Sequence, residues 1–139
     1  MINETSAGIV LFRTISEQNQ FLLLHYPQGH WDFVKGKIEK NEEPYETTRR
    51  EVREETAITN FQLIDGFEEY IEYQFRLKTE IIYKKVIFFL GRTDTKKVEL
   101  SHEHIGYIWL DYNDTLKKLT FENAKNVLIK ANEFLLKTR

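Results

Sequence analysis

Three glutamates within five positions, Glu51, Glu54 and Glu55, are the residues in this sequence best placed to do chemistry. In a helix, at about 100° per residue, Glu55 lies about 40° to one side of Glu51 and Glu54 about 60° to the other, so the three carboxylates share a face. Like charges four residues apart destabilise a helix by roughly 0.2–0.5 kcal/mol. A divalent cation would remove that repulsion, because hard cations such as Mg²⁺ prefer oxygen ligands. The alternative is an ordinary solvated face of glutamate and arginine.

A helix must hold these glutamates, and the residues around them predict its bounds. Pro44 suits a first helical turn, where its missing N–H leaves no bond unmade, so we expect a helix from Pro44 to Thr56. Arg50 lies four residues before Glu54 and can pair with it. The neighbouring arc is expected to pack on a sheet and contains Tyr45, Thr48, Val52 and Thr56. The other acidic side chains nearby are expected to be solvated: Glu39, Glu43 and Glu46.

Short apolar runs predict the strands of that sheet. We expect strands at "AGIVLF" and "QFLLLHY", joined by a loop at "RTISEQNQ", and a short strand at "WDFV". Two longer strands are predicted at "FQLIDGFEEYIEYQF" and "EIIYKKVIFFLG", and a last strand at "GYIWL". Apolar residues spaced by three and four predict a C-terminal helix from about Phe121. The mixed order indicates an α/β fold, a sheet covered by helices.

The composition is that of an ordinary globular protein, and we expect a single domain over residues 1–139. The net charge of −2 provides no basic field for a nucleic-acid duplex. The absence of cysteine excludes disulfides, thiolate metal sites and a cysteine nucleophile. No apolar run is long enough to span a membrane, and the N-terminus lacks the pattern of a signal peptide. We therefore expect a cytoplasmic enzyme or binding domain that does not engage membranes and is monomeric.

The spacing of residues from Gly36 to Ile58 resembles the Nudix box, G-x5-E-x7-R-E-U-x-E-E-x-G-U, in which U is aliphatic. Eight of the nine specified residues match, and Ala57 stands where the family has glycine. A glycine past a helix end commonly has positive φ, and alanine there would cost about 1 kcal/mol. The difference therefore concerns the backbone rather than the chemistry, and either the turn is remodelled or the strain is tolerated.

The resemblance implies a Nudix-type α/β/α sandwich with a mixed β-sheet between helices. It also implies a hydrolase that cleaves a nucleoside diphosphate linked to another group, with Mg²⁺ or Mn²⁺ bound by the three glutamates and one of them able to act as base. Arg50 and Glu42 resemble the pair that braces the catalytic helix, and Gly36 the glycine that lets the loop approach the metal. Lys35 resembles a phosphate contact, the alternative being an ordinary exposed lysine.

Three further stretches resemble the asymmetric diadenosine tetraphosphate hydrolases of the animal and archaeal type: "GHWDFVKGKIEKNE", "GFEEYIEYQF" and "LSHEHIGYIWL". Val34 and Lys37 differ from that pattern, which has proline and histidine. The resemblance implies a dinucleoside polyphosphate as substrate.

Two strand positions resemble substrate contacts of these hydrolases. Tyr73 resembles the aromatic residue that stacks on adenine, and Lys84 a lysine that contacts the polyphosphate chain. Tyr70 and Lys85 are the alternatives, because residues an odd number of positions apart on a strand face opposite sides. A strand tyrosine can also simply pack against a neighbour.

The loop "SHEH" before the last strand resembles one that carries a further glutamate in many Nudix enzymes. This resemblance assigns Glu103 to metal binding or to the role of base, and His104 is a candidate phosphate contact. Two other enzymatic functions use the same scaffold, RNA 5′-pyrophosphohydrolase and nucleoside triphosphate pyrophosphatase. A third alternative is a nucleotide-binding regulator without catalysis, which we disfavour because the three box glutamates are present.

Overall fold

The computed structural model describes residues 2–138. Within these residues a single mixed sheet of eight strands is accompanied by three helices. The strands are β1 (Ile2–Ile15), β2 (Gln18–His25), β3 (Trp31–Asp32), β4 (Val34–Lys37), β5 (Phe61–Leu63), β6 (Glu69–Leu77), β7 (Glu80–Thr93) and β8 (Gly106–Leu110). The helices are α1 (Pro44–Thr56), α2 (Tyr112–Lys118) and α3 (Glu122–Lys137).

Strand β1 organises the sheet because it pairs with three others. It runs parallel to β7, from Ile2 opposite Ile82 to Phe12 opposite Arg92, and antiparallel to β2 and β4. Its side chains alternate between two apolar clusters, one on each face of the sheet. The cluster with Val52 lies on the α1 side, and the cluster with Leu128 lies on the α3 side. The predicted α/β/α sandwich with a mixed sheet is thereby confirmed.

Helix α1 begins and ends where the sequence predicted, but the arc that it buries differs. Thr47, Val52 and Glu55 are buried, whereas Tyr45 is 48% exposed. The buried arc therefore extends onto the glutamate face, and the prediction that Tyr45 packs on the sheet was wrong. Glu46 is also more than a solvated residue, because its side chain accepts the backbone N–H of Glu43 at 2.8 Å and satisfies one of the first donors of the helix.

The last turn of α1 keeps the geometry that glycine would favour. Ala57 has φ 63° and ψ 10°, and its N–H donates to the carbonyl of Arg53 at 2.9 Å. Of the two outcomes predicted for this position, the strain is tolerated rather than removed by a remodelled turn.

The connection between β1 and β2 is shorter than predicted. Residues 13–15 and 18–20 continue the two strands, with Arg13 bonded to Gln20 at 2.9 Å and Thr14 to Asn19 at 2.8 Å. Only Ser16 and Glu17 turn the chain, both with positive φ. The predicted eight-residue loop was wrong because the polar residues of this exposed hairpin continue both strands and carry no apolar signal.

Three further elements differ from the sequence prediction. The short strand expected at "WDFV" is divided into β3 and β4, which continues to Lys37. The first of the two longer strands is divided into β5 and β6 at a turn that contains Gly66, whose φ is 94°. Helix α2 was not predicted, because seven residues are too few to display an apolar period. Its N-terminus is capped by Asp111, which accepts the N–H of Asp114 at 2.9 Å. Among residues 2–138, no helix is both long and apolar enough to cross a membrane.

Candidate active site

The approach of β4 to α1 positions the first carboxylate of the site. Gly36 lies against Glu51, and a Cβ atom added at Gly36 would overlap the carboxyl group of that glutamate. A glycine is therefore required here for space rather than for an unusual φ. This contact agrees with the predicted role of Gly36 in letting the loop approach the acidic face.

Arg50 ties the loop before α1 to the helix. Its Nε donates to Glu42 Oε2 at 2.7 Å, and its Nη2 donates to the carbonyl of Lys37 at 3.0 Å. This guanidinium, together with hydrogen bonds from Glu39 N–H and the Thr47 hydroxyl, lowers the pKa of Glu42 to about 2. The loop and helix are thus held as the predicted brace requires. The predicted pairing of Arg50 with Glu54 is also present, at 3.3 Å.

The three glutamates of α1 converge as predicted. Each offers a carboxylate oxygen, and these oxygens lie within 4.8 Å of one another. Glu55 is buried, Glu51 is half-buried and Glu54 is exposed. Burial raises the pKa of Glu51 to about 7 although Arg50 donates to it at 2.8 Å, and the charges of Glu55 and Glu54 add to the effect. Three convergent carboxylate oxygens, with no Cβ at Gly36 to fill the space, form a donor set that fits a hard divalent cation.

The loop before β8 forms the opposite wall of a cleft over these carboxylates. The cleft has a volume of about 350 Å³ and is lined by Tyr26, Pro27, Gln28, Lys35, Glu51, Glu55, Glu103 and His104. Glu103 is exposed, whereas His104 is buried with its Nδ1 facing Glu55 Oε2. The structure therefore brings together five residues that the sequence predicted, and His104 directly contacts a carboxylate of α1.

A second cleft of about 240 Å³ adjoins the first through Lys35. It is lined by Asp32, Lys35, Ile71, Tyr73, Phe121, Asn123 and Ala124. Lys35 Nζ lies 3.0 Å from Asp32 Oδ2. Burial alone would lower the pKa of Lys35, but the charge of Asp32 and a hydrogen bond with Tyr73 raise it, so the ammonium is retained between the clefts.

The tyrosines and lysines of β6 and β7 divide as strand alternation requires. Tyr73 lines the second cleft, while Tyr70 is 58% exposed and lies under Lys85 Nζ at 4.4 Å from its ring. Lys84 is paired in register with Tyr73 and is buried, so it shares the Tyr73 face. Lys84 is not among the residues that line either cleft, and its ammonium lies 3.5 Å from Glu4.

Glu4 joins two lysines on this face of the sheet. Its other oxygen lies 2.9 Å from Lys37 Nζ, so the Glu4 carboxylate lies between the ammonium groups of Lys37 and Lys84 and pairs with both. Burial lowers the pKa of Lys84, Glu4 opposes that effect, and the charges of Lys35 and Lys37 reinforce it. The face beside Tyr73 therefore carries three lysines and two carboxylates in close proximity.

Sequence reasoning did not identify several residues of the site. Asp32 is 2% exposed and holds Lys35, and its only signal in the sequence was its position within "WDFVKG". Phe121 lines the second cleft, although its place in the sequence indicates only the start of the C-terminal helix. Ser101 carries no signal of a role in the "SHEH" loop, yet its hydroxyl donates to Glu55 Oε2 at 2.6 Å.

The site combines an acidic helix face, a strand that contains Gly36 and the loop before β8, and it adjoins an aromatic cleft through Lys35. In an α/β/α domain, such a site can hold a divalent cation beside a phosphorylated ligand. The NUDIX domain model matches residues 3–131 of the chain. The chain therefore belongs to the NUDIX family, and it is a Nudix hydrolase by fold and by its acidic helix.

Individual proteins are similar to the chain over most of its length. A mouse bis(5'-nucleosyl)-tetraphosphatase [asymmetrical] is 34% identical, with 96% of each chain covered. An RNA pyrophosphohydrolase of Nitratiruptor sp. is 30% identical, over 83% of this chain and 81% of its own. Among solved structures, a C. elegans Ap4A hydrolase binary complex has a TM-score of 0.87 and 28% identity, with 96% of this chain and 98% of the other covered.

Proposed function

We propose that the chain hydrolyses dinucleoside polyphosphates in a divalent-metal-dependent reaction, with diadenosine tetraphosphate as substrate and ATP and AMP as products. The observation that carries this proposal is the adjacency of two clefts at Lys35, one acidic and one aromatic. A nucleotide has two parts that match these clefts. Its anionic phosphate chain would bind a cation held by the acidic cleft, and its flat base would stack in the aromatic cleft. The asymmetrical tetraphosphatase of mouse supports the choice of substrate.

The proposed metal ligands are the carboxylates of Glu51, Glu54 and Glu55, and the proposed ion is Mg²⁺ or Mn²⁺. Gly36 leaves room for Glu51 to face that ion. When bound, the ion supplies positive charge that offsets the phosphates and makes a water molecule more acidic. Arg50 and Glu42 hold α1 in place during the reaction.

The remaining residues bind the substrate and move a proton. Lys35 binds a phosphate at the junction of the clefts, and Tyr73 stacks on adenine, a contact that contributes about 1–3 kcal/mol per base. His104 contributes to the phosphate environment from the wall of the first cleft, and the buried Lys84 adds positive charge on the sheet face that carries Tyr73. Glu103, exposed on the loop, accepts the proton of the attacking water as the water oxygen bonds to phosphorus. The P–O bond of one P–O–P linkage breaks, the bridging oxygen leaves with the other phosphate, and the two products are ATP and AMP.

A substrate panel tests this proposal. The protein is incubated with Mg²⁺ and diadenosine tetraphosphate, ADP-ribose, nucleoside triphosphates or 5′-triphosphate RNA, and the products are separated by chromatography. We expect ATP and AMP from diadenosine tetraphosphate, at a rate that Glu55→Gln lowers by orders of magnitude without loss of fold. No cleavage of this substrate beside rapid cleavage of another would refute the proposed substrate.

A second candidate function is removal of pyrophosphate from the 5′ end of RNA. It is favoured by the similarity to an RNA pyrophosphohydrolase of Nitratiruptor sp. over most of both chains. The 5′-triphosphate RNA in the panel distinguishes the two enzymes. A nucleotide-binding regulator without catalysis would release no product from any nucleotide of the panel.

We further propose that residues 1–139 act as one Nudix domain and that the monomer is the working unit. The support for one domain is that the elements lining both clefts belong to, or pack on, a single mixed sheet. Size-exclusion chromatography at the concentration of the assay tests the proposed monomer.

A further inference from the structure

Ser101 is bonded to both walls of the acidic cleft. The Ser101 hydroxyl donates to Glu55 Oε2 at 2.6 Å. Ser101 Oγ also accepts the backbone N–H of Glu103 at 3.2 Å. The carbonyl of Ser101 also accepts the N–H of His104 at 3.3 Å, which closes the loop into a turn. One serine therefore joins a carboxylate of α1 to the loop segment that carries Glu103, across 46 positions of sequence.

The bond to Glu55 is important because of the burial of this glutamate. Glu55 is 3% exposed, so its carboxylate depends on protein partners for orientation. The Ser101 hydroxyl and His104 Nδ1 both face its Oε2. Among residues 2–138, the side-chain donors to the Glu55 carboxylate are found at Oε2, and Oε1 accepts no hydrogen bond. The two contacts at Oε2 thus determine the direction in which Oε1 points.

We propose that Ser101 is a positioning residue that fixes the Glu55 carboxylate and the Glu103 loop relative to each other. The inference rests on the proposed function, because it takes Glu55 as a metal ligand and Glu103 as the proton acceptor. Without the Ser101 hydroxyl, Glu55 would lose a donor on Oε2, and the loop would lose its link to α1. Residues that orient metal ligands in this way commonly change metal affinity or activity by about 10- to 100-fold when they are removed.

The test compares Ser101→Ala with Ser101→Thr, which keeps the hydroxyl, and with His102→Ala, which alters an exposed neighbour in the same loop. Mn²⁺ binding to the nucleotide-free proteins is measured by electron paramagnetic resonance. Steady-state kinetics with diadenosine tetraphosphate then separates kcat from KM, and thermal unfolding reports the stability of each variant.

We expect Ser101→Ala to weaken Mn²⁺ binding and to lower kcat by about 10- to 100-fold, with KM changed less than about 3-fold. Ser101→Thr should restore both quantities to within about 3-fold of the wild type, and His102→Ala should leave both unchanged. Equal Mn²⁺ affinity and kcat in Ser101→Ala and the wild type would overturn the proposal. A fall in kcat that Ser101→Thr does not restore would overturn it as well.

The Mn²⁺ measurement also separates this inference from the proposed function. If the wild type binds Mn²⁺ but leaves diadenosine tetraphosphate intact, the proposed substrate fails, and the affinities of the Ser101 variants still decide the positioning role. If the wild type cleaves diadenosine tetraphosphate while Ser101→Ala matches it in affinity and kcat, only the inference about Ser101 fails.

Discussion

Glu51 carries a conflict between burial and charge. Burial, together with the nearby charges of Glu55 and Glu54, raises its pKa from the ordinary 4.5 to about 7, despite the Arg50 guanidinium. In the unfolded chain this carboxyl releases its proton near the ordinary value. The folded, metal-free protein therefore binds more protons between these two pH values, and its free energy of unfolding falls as pH rises from about 4.5 to about 7.

Replacing this carboxyl by an amide should remove that part of the pH dependence. In EDTA at pH 8, we expect Glu51→Gln to be more stable than the wild type by about 1–2 kcal/mol, a value reduced for the partial exposure of the site. Near pH 4.5 the two proteins should be equally stable. Urea unfolding at a series of pH values measures the difference, and comparison of the two proteins cancels the titration of the histidines.

One control variant isolates the buried proton as the cause. Glu54→Gln removes the same charge from a half-exposed side chain of the same cluster and should have a smaller effect at pH 8. Glu42, whose pKa is lowered to about 2, stabilises the fold above pH 4.5 and loses this effect only as the pH falls toward 2. It therefore does not change the pH dependence of stability between pH 4.5 and 7. A Glu51→Gln protein that is less stable than the wild type at pH 8 in EDTA would contradict the argument.

At the scale of elements, the residue that follows α1 has a strained backbone but no proposed role in the reaction. Ala57 has φ 63°, where glycine meets no Cβ clash. We expect Ala57→Gly to stabilise the protein by about 0.5–1 kcal/mol in urea unfolding and to leave kcat unchanged. Lys78→Gly is the matched control, because Lys78 has φ 58° in the turn between β6 and β7. A large gain in kcat for Ala57→Gly alone would mean that this position affects catalysis.

Strand β6 presents its tyrosines to different environments, so the two can be compared directly. Tyr73→Ala should raise KM for diadenosine tetraphosphate by about 5- to 150-fold, because one stacking contact is lost, and should change kcat less. Tyr70→Ala should leave KM unchanged, because Tyr70 is exposed on the opposite side. Tyr73→Phe should retain most of the affinity. An unchanged KM with a lower melting temperature for Tyr73→Ala would indicate packing alone.

The elements with strong local signals were predictable from the sequence. The bounds of α1 followed from Pro44 and the spacing of the box, and β8 followed from one apolar run. Convergence of the three glutamates followed from helix geometry alone, and the face of Tyr73 from strand alternation. These features depend on neighbours within a few residues along the chain.

The features that were not predicted depend on contacts between distant segments. Whether residues 13–15 form strand or loop is decided by pairing with β2, and their polar side chains carry no signal of it. The link from Ser101 to Glu55 and the contact of Phe121 with the second cleft arise only when the sheet brings separate elements together. Local periodicity cannot reveal such partners.

At the scale of the whole molecule, a tyrosine and three charged side chains form a row across four strands beside the aromatic cleft. Tyr73 on β6, Lys84 on β7, Glu4 on β1 and Lys37 on β4 lie in sequence across the sheet. Because Glu4 neutralises lysines that would otherwise attract a phosphate chain, we expect Glu4→Gln to lower KM for diadenosine tetraphosphate by about 2- to 5-fold. Kinetics at low and moderate salt measures the change, which should shrink as salt increases.

Glu99→Gln is the matched control for this prediction. Glu99 pairs with Lys97 at 3.5 Å, both side chains are mostly exposed, and the variant makes the same change in net charge. Its KM should equal that of the wild type. A higher KM for Glu4→Gln would instead mean that Glu4 holds Lys84 and Lys37 in position, and that this role outweighs the charge it neutralises.

The parallel pairing of β1 with β7 has a consequence for the order of events during synthesis. Residues 2–12 find their partners only at residues 82–92, so the centre of the sheet cannot close until about two thirds of the chain has left the ribosome. Gly36 reaches Glu51 on a strand that is itself paired with β1. Such long loop closures slow folding. The acidic helix α1 can form early, because its signals are local. The cleft over its carboxylates is assembled only after most of the chain has been synthesised.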